Sequence, residues 1–192
     1  MINKNLKAVK IFAEIVVLGS IFIGVSNIAF ASGTQAVTAT VKLQNISVTV
    51  SDGSINYGVL ALSTSQDTLA TTSHLNDQQT AVNAGNIAED LTIVGKDATT
   101  ASSTCTHGGS PALWNLSSTS TSADHYLHYF STSTGTTWNN LSLAYTTLKS
   151  NLAASSTQTF DLKLTTPTAS TCYDPQSVDV TVSAACASGV SC

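Results

Sequence analysis

The residues able to do chemistry are few, and they fall into three groups. Cys105, Cys172, Cys186 and Cys192 are the first. Four cysteines in an exported chain predict two disulfides, with three possible connectivities. Cys186 and Cys192 flank the short loop ASGVS and suit a local staple, which leaves Cys105 to meet Cys172. The competing arrangement keeps Cys192 free or pairs it between molecules. Zinc is disfavoured because no C-x-x-C spacing occurs. His125 and His128 form the second group, as H-x-x-H. Residues three apart share a face on a helix but point to opposite faces of a strand, and HYLHYF is strongly β-prone. The expectation is therefore one histidine in a polar network, one in solvent, and no metal. Cys105-Thr106-His107 could pair a thiolate with an imidazole, but half of a disulfide is the simpler role. Trp114, Trp138, Tyr126 and Tyr129 are the third group. Their apolar ring faces could stack on sugar rings as a glycan platform, or they could fill the core.

Catalysis has little else to draw on. The carboxylates are scattered, and no spacing sets two of them across a cleft. The exported part contains no G-x-S-x-G elbow, and the chain has no phosphate loop and no dinucleotide fingerprint. A non-enzymatic protein without catalytic residues, cofactor or metal is expected.

The elements that would position these side chains read as short strands. Val37, Ala39, Val41 and Leu43 alternate with polar residues, and Ile46, Val48 and Val50 continue on the other parity. The phase change at Gln44-Asn45 predicts a β-bulge or a crossing between sheets. Ser51-Asp52-Gly53 reads as a turn, and Ile55, Tyr57 and Val59 as the next strand. Leu62 to Asp77 is a polar excursion. QQTAVNAGNIAEDLTIVG, from Gln78 to Gly95, predicts a hairpin turning at Gly85-Asn86, because Gly and Asn populate the left-handed region cheaply. A Ser/Thr-rich loop region near 97–123 encloses the island Ala112 to Leu116. Strands follow at His125–Phe130, Trp138–Leu143, Thr157–Leu164 and Val178–Val182. Tyr145–Leu152 reads as a helical turn or an irregular crossover.

Eight or nine short strands and no long amphipathic helix predict an all-β fold: an immunoglobulin-like antiparallel β-sandwich in a single domain over 32–192. Its expected core is Val41, Val48, Val50, Leu91, Ile93, Phe160, Leu162, Val180 and Val182.

Composition sets the compartment and excludes some partners. Lys4, Lys7 and Lys10 precede an apolar run from Ile11 to Val25, and Ala29-Phe30-Ala31 supplies an A-x-A cleavage site. Residues 1–31 thus read as a secretory signal peptide, with an uncleaved membrane anchor as the rival. Three of the seven lysines lie in that segment, and arginine is absent, so nucleic acid is a poor partner. Ser and Thr make up roughly a third of the remainder, a common look for extracellular β proteins.

The phrases SVTVSDGSINYGVLALSTSQDT, QTAVNAGNIAEDLTIVG, YLHYFSTS, TQTFDLKLTTPTAST and QSVDVTVSA together resemble a group of short, secreted, immunoglobulin-like proteins of uncultured small-genome bacteria. The likeness spans about Val41 to Ala184 and implies a fold and an extracellular setting, with no catalytic residues to carry over. Trp114-Asn115-Leu116 is similar to the W-x-L tripeptide of WxL wall-binding domains, whose longer second motif is absent. The expected function is that of a secreted or cell-surface structural protein contacting other surface proteins or itself. The alternative is a glycan or cell-wall binding module. The membrane enters only through the signal segment, if that is retained.

Overall fold

A computed structural model describes residues 38–100, 106–107, 110–111 and 114–192. The chain divides into one unit over Met1–Val41 and another over Lys42–Cys192. The signal segment, Cys105 and part of the Ser/Thr-rich loop lie outside the described residues.

In chain order the strands are β1 (Val48–Val50), β2 (Ser65–Asp67), β3 (Gln79–Asn83), β4 (Glu89–Gly95), β5 (Thr106–His107) and β6 (Ser110–Pro111). They continue with β7 (Asn115–Ser117), β8 (His125–Ser131), β9 (Asn139–Asn140), β10 (Thr146–Leu152), β11 (Thr157–Thr165) and β12 (Val180–Cys186). No helix occurs among the described residues. A seven-stranded sheet runs β1-β3-β11-β8-β7, with β2 added to β11 and β9 to β8. A three-stranded sheet runs β10-β4-β12, and β5 and β6 form a small ribbon. The predicted two-layer sandwich is present. Its pairings are antiparallel except β7 on β8, which is parallel.

Alternation builds the layers. Phe160, Leu162 and Leu164 of β11 face Leu91 and Ile93 of β4 across the interior, and all five are buried with Ala81, Phe130, Leu141 and Leu148. Inward aliphatic side chains of two sheets satisfy one another only by facing inward together. Val48, Val180 and Val182 pack against this core half-buried.

The Gln78–Gly95 hairpin is not formed. Its two arms join different sheets: β3 pairs with β1 and β11, and β4 with β10 and β12. Residues 84–88 are an arch between layers. Neither Gly85 nor Asn86 has a positive φ, so the left-handed argument does not apply to them. Gly85 is instead required by space. A Cβ there would lie 2.3 Å from the Asn45 carbonyl oxygen and 2.3 Å from Glu89 Oε1. Asn83 organises the arch from a fully buried position, its Oδ1 accepting from the Gly85 amide at 2.9 Å. Its Nδ2 donates to the carbonyls of Ile87 at 2.8 Å and Leu152 at 2.9 Å. Glu89 is also fully buried, and its Oε1 accepts from the Ser47 amide at 2.8 Å.

Other expectations change as well. Residues 38–47 form no strand, and Val41 and Leu43 are 85% and 82% exposed rather than core. The chain before β1 is held by the arch, where Asn86 bonds both backbone groups of Asn45 and the Leu43 carbonyl. That bonding fixes backbone and leaves the side chains in solvent. Val50 is 36% exposed, at the end of a short outer strand. Ile55 to Val59 is not a strand, because Asn56 Oδ1 captures the Gly58 amide at 2.9 Å and Gly58 turns at φ 72°. Ile55 and Tyr57 still dip inward, while Val59 is wholly exposed. Tyr145–Leu152 contains β10, with register shifts between Thr147 and Lys149 and between Lys149 and Leu152. The buried pair Leu148 and Leu152 is four apart, a spacing that suits a helix and an extended chain alike. Among the described residues there are twelve short strands against the expected eight or nine, partly because β2 forms in the polar excursion. There Thr68 is buried and its Oγ1 accepts from the Leu162 amide at 2.9 Å.

Candidate functional site

Because Ser51 to Leu62 does not join a sheet, the sandwich is open along one side. β12 ends the three-stranded sheet, and among the described residues no strand pairs with its other edge. Beside that edge lies a cleft of about 680 Å³. Phe160, Leu162 and Leu164 of β11 form its floor, Val178, Val180 and Val182 one wall, and Ile55, Tyr57 and Leu60 the other. It meets solvent at Val59, Leu62 and Tyr173, which are exposed apolar side chains. Together these residues give a mostly aliphatic trough.

A line of rings runs from the cleft into the interior. Tyr57 Oη lies 3.1 Å from His128 Nε2, with the two rings edge-to-face at 6.0 Å. His128 stands 6.2 Å from the Tyr126 ring, and Tyr126 stands 6.4 Å from Trp114. Tyr126 is fully buried and donates its hydroxyl to the Lys96 carbonyl at 2.5 Å. Trp114 is half-buried and donates Nε1–H to Ser170 Oγ at 3.0 Å, and that hydroxyl bonds Asp124 at 2.9 Å. His128 Nδ1 and Gln176 Oε1 are buried with no hydrogen-bond partner among the described residues. Burial pushes the His128 imidazolium pKa down to about 4, so the ring is neutral at pH 7. The Tyr57 and Tyr126 hydroxyls are pushed up, first by burial and then by the carboxylates of Asp77 and Asp97 respectively.

His125 is exposed, its Nδ1 lying 2.8 Å from the Ala123 carbonyl, so the two histidines part as the strand reading requires. Among the described residues no group of three or more metal-ligating side chains is assembled.

The four aromatics do not share a platform. Trp114 and Tyr126 belong to the interior line, while Tyr129 and Trp138 lie on the outer face of the larger sheet. Register aligns Asp67, Lys163, Tyr129 and Asn140 across β2, β11, β8 and β9, and paired residues project from the same face. Lys163 Nζ sits 4.5 Å from the ring centroids of both Tyr129 and Trp138. This ammonium against two rings is a favourable cation–π arrangement. Partial burial lowers the Lys163 pKa, an effect that the Asp67 carboxylate opposes. Asp67 also pairs with His74. Sequence reasoning missed Lys163 because its partners are cross-strand neighbours at distances only register reveals. Tyr57 and His128 were missed as a pair because they are 71 residues apart.

Cys186 and Cys192 form the local disulfide, as one of the two expected arrangements required. Cys172 is oxidised too, and Cys105, its expected partner, lies outside the described residues.

The chain matches no protein-family model, no curated protein and no solved structure.

Proposed function

We propose that this chain is a secreted, non-enzymatic structural protein of the cell surface or extracellular space, acting through protein–protein contacts and assembling with itself. The edge of β12, unpaired among the described residues and beside a cleft with aliphatic walls, is the observation that carries this reading. An unpaired strand edge offers a row of amide and carbonyl groups, and nearby apolar pockets give an added strand somewhere to put alternate side chains. Export is supported by the tripartite character of residues 1–31 and by the Cys186–Cys192 disulfide, a bond that persists in oxidising compartments. Electron microscopy and light scattering of the purified chain over a wide concentration range test assembly. Dispersed monomers throughout would remove it.

A second reading, a glycan or cell-wall binding module, is favoured by the outer row of Tyr129, Trp138, Lys163 and Asn140. Pull-down on peptidoglycan and polysaccharides tests it. Trp138→Ala should abolish retention while Trp114→Ala, away from that row, should not. Retention unchanged by Trp138→Ala excludes the platform.

A further inference from the structure

The cleft has a matching strand in the same sequence. Residues 37–43, VTATVKL, alternate apolar and polar side chains as a half-buried strand does, yet Val41 and Leu43 stand 85% and 82% exposed. An apolar stripe of strand period left in water is costly and calls for a covering surface. The cleft presents the complementary pattern. Val178, Val180 and Val182 turn one way, into the trough, while Asp179, Thr181 and Ser183 turn the other.

We infer that VTATVKL of one copy adds as a strand to the open edge of β12 in a second copy, setting Val37, Ala39 and Val41 into the cleft. This inference rests on the assembly reading above and names its contact. Backbone groups of the added strand would pair with the free side of β12. Apolar side chains would then lie over Phe160 and Leu162 between the sheets. On the opposite parity, Thr38, Thr40 and Lys42 would share the outer face with Thr181 and exposed Asp179. Lys42 is the sole charged residue from Ser32 to Val50, so its ammonium would face the exposed Asp179 carboxylate with no like charge beside it on the added strand. A contact in which one copy gives a strand and the next receives it is heterologous. It propagates into chains of molecules rather than closing as a dimer.

Parity supplies the test. Val41→Asp places a charge on the face predicted to enter the cleft, and Thr40→Asp places the same charge on the face predicted to remain in water. Both positions are exposed in the monomer, so both variants should fold like the original. Sedimentation of the purified full chain over a concentration series should show oligomers. Val41→Asp should raise the concentration needed for them by about tenfold or more, and Thr40→Asp, a solvated charge near Asp179, should raise it by no more than about threefold. A synthetic VTATVKL peptide should cap growth, and its Asp-for-Val41 version should not. If the original chain assembles and Val41→Asp assembles equally well, the strand exchange is wrong while the assembly reading stands. Equal disruption by both variants also overturns it, because net charge and not strand parity would then be responsible. A chain that never assembles removes both.

Discussion

His128 makes the stability of the fold depend on pH in a calculable way. The imidazole is 1% exposed and its folded pKa is near 4, against 6.5 for a solvated histidine. A depressed folded pKa means that the unfolded chain binds the proton first. The contribution is therefore fully present above pH 6.5 and is lost as the pH falls toward 4. With these two values the loss relative to pH 7 is about 2 kcal/mol at pH 5 and about 3 kcal/mol at pH 4. His128→Gln retains a donor near Tyr57 Oη but cannot titrate. Denaturant unfolding of both proteins, followed by tryptophan fluorescence at pH 7, 6, 5 and 4.5, isolates the effect. Carboxylates titrate in both and cancel in the difference. The stability gap between original and variant should narrow by about 2 kcal/mol from pH 7 to pH 5. Parallel pH profiles would refute the claim that burial holds this ring neutral.

Gly85→Ala should destabilise by roughly 3 kcal/mol or more, or prevent folding, since its methyl would collide with the Asn45 backbone and the Glu89 carboxylate together. Thermal unfolding reads this, and a loss under 1 kcal/mol would contradict the tight arch. Asn83→Ala strands the Ile87 and Leu152 carbonyls and the Gly85 amide, and should cost about 3 kcal/mol in the same assay. Cys186→Ser with Cys192→Ser opens a short loop and should cost about 2 kcal/mol, with protease sensitivity appearing after β12. Lys163→Met keeps the aliphatic stem and removes the charge; a loss of about 1 kcal/mol would measure the contact with Tyr129 and Trp138.

What the sequence made legible was whatever depends on neighbours in the chain. Period-2 alternation identified β11, β12 and the arms of β3 and β4, and it put His125 and His128 on opposite faces. The pairing of those arms was not legible. A Gly-Asn turn between β-prone runs is equally compatible with a hairpin and with an arch. The choice was made by Asn83 and Glu89, polar residues buried by distant partners. Val41 and Leu43 misled for a related reason. Alternation shows that a segment suits a half-buried strand and does not say whether the fold will cover it. Among the aromatics, local sequence could not separate Trp114 and Tyr126 from Tyr129 and Trp138, because only the register of β8 assigns each ring its side.

The arch between β3 and β4 also bears on when the domain can close during synthesis. The two arms do not pair with each other: β3 has β1 behind it but waits for β11 on its other side, and β4 sits between β10 and β12, the last strand of the fold. A nascent chain halted at residue 100 would hold both arms with no local ribbon to lock them together. Such non-local wiring makes folding slow and late, and it leaves the polypeptide threadable until its final strands have emerged.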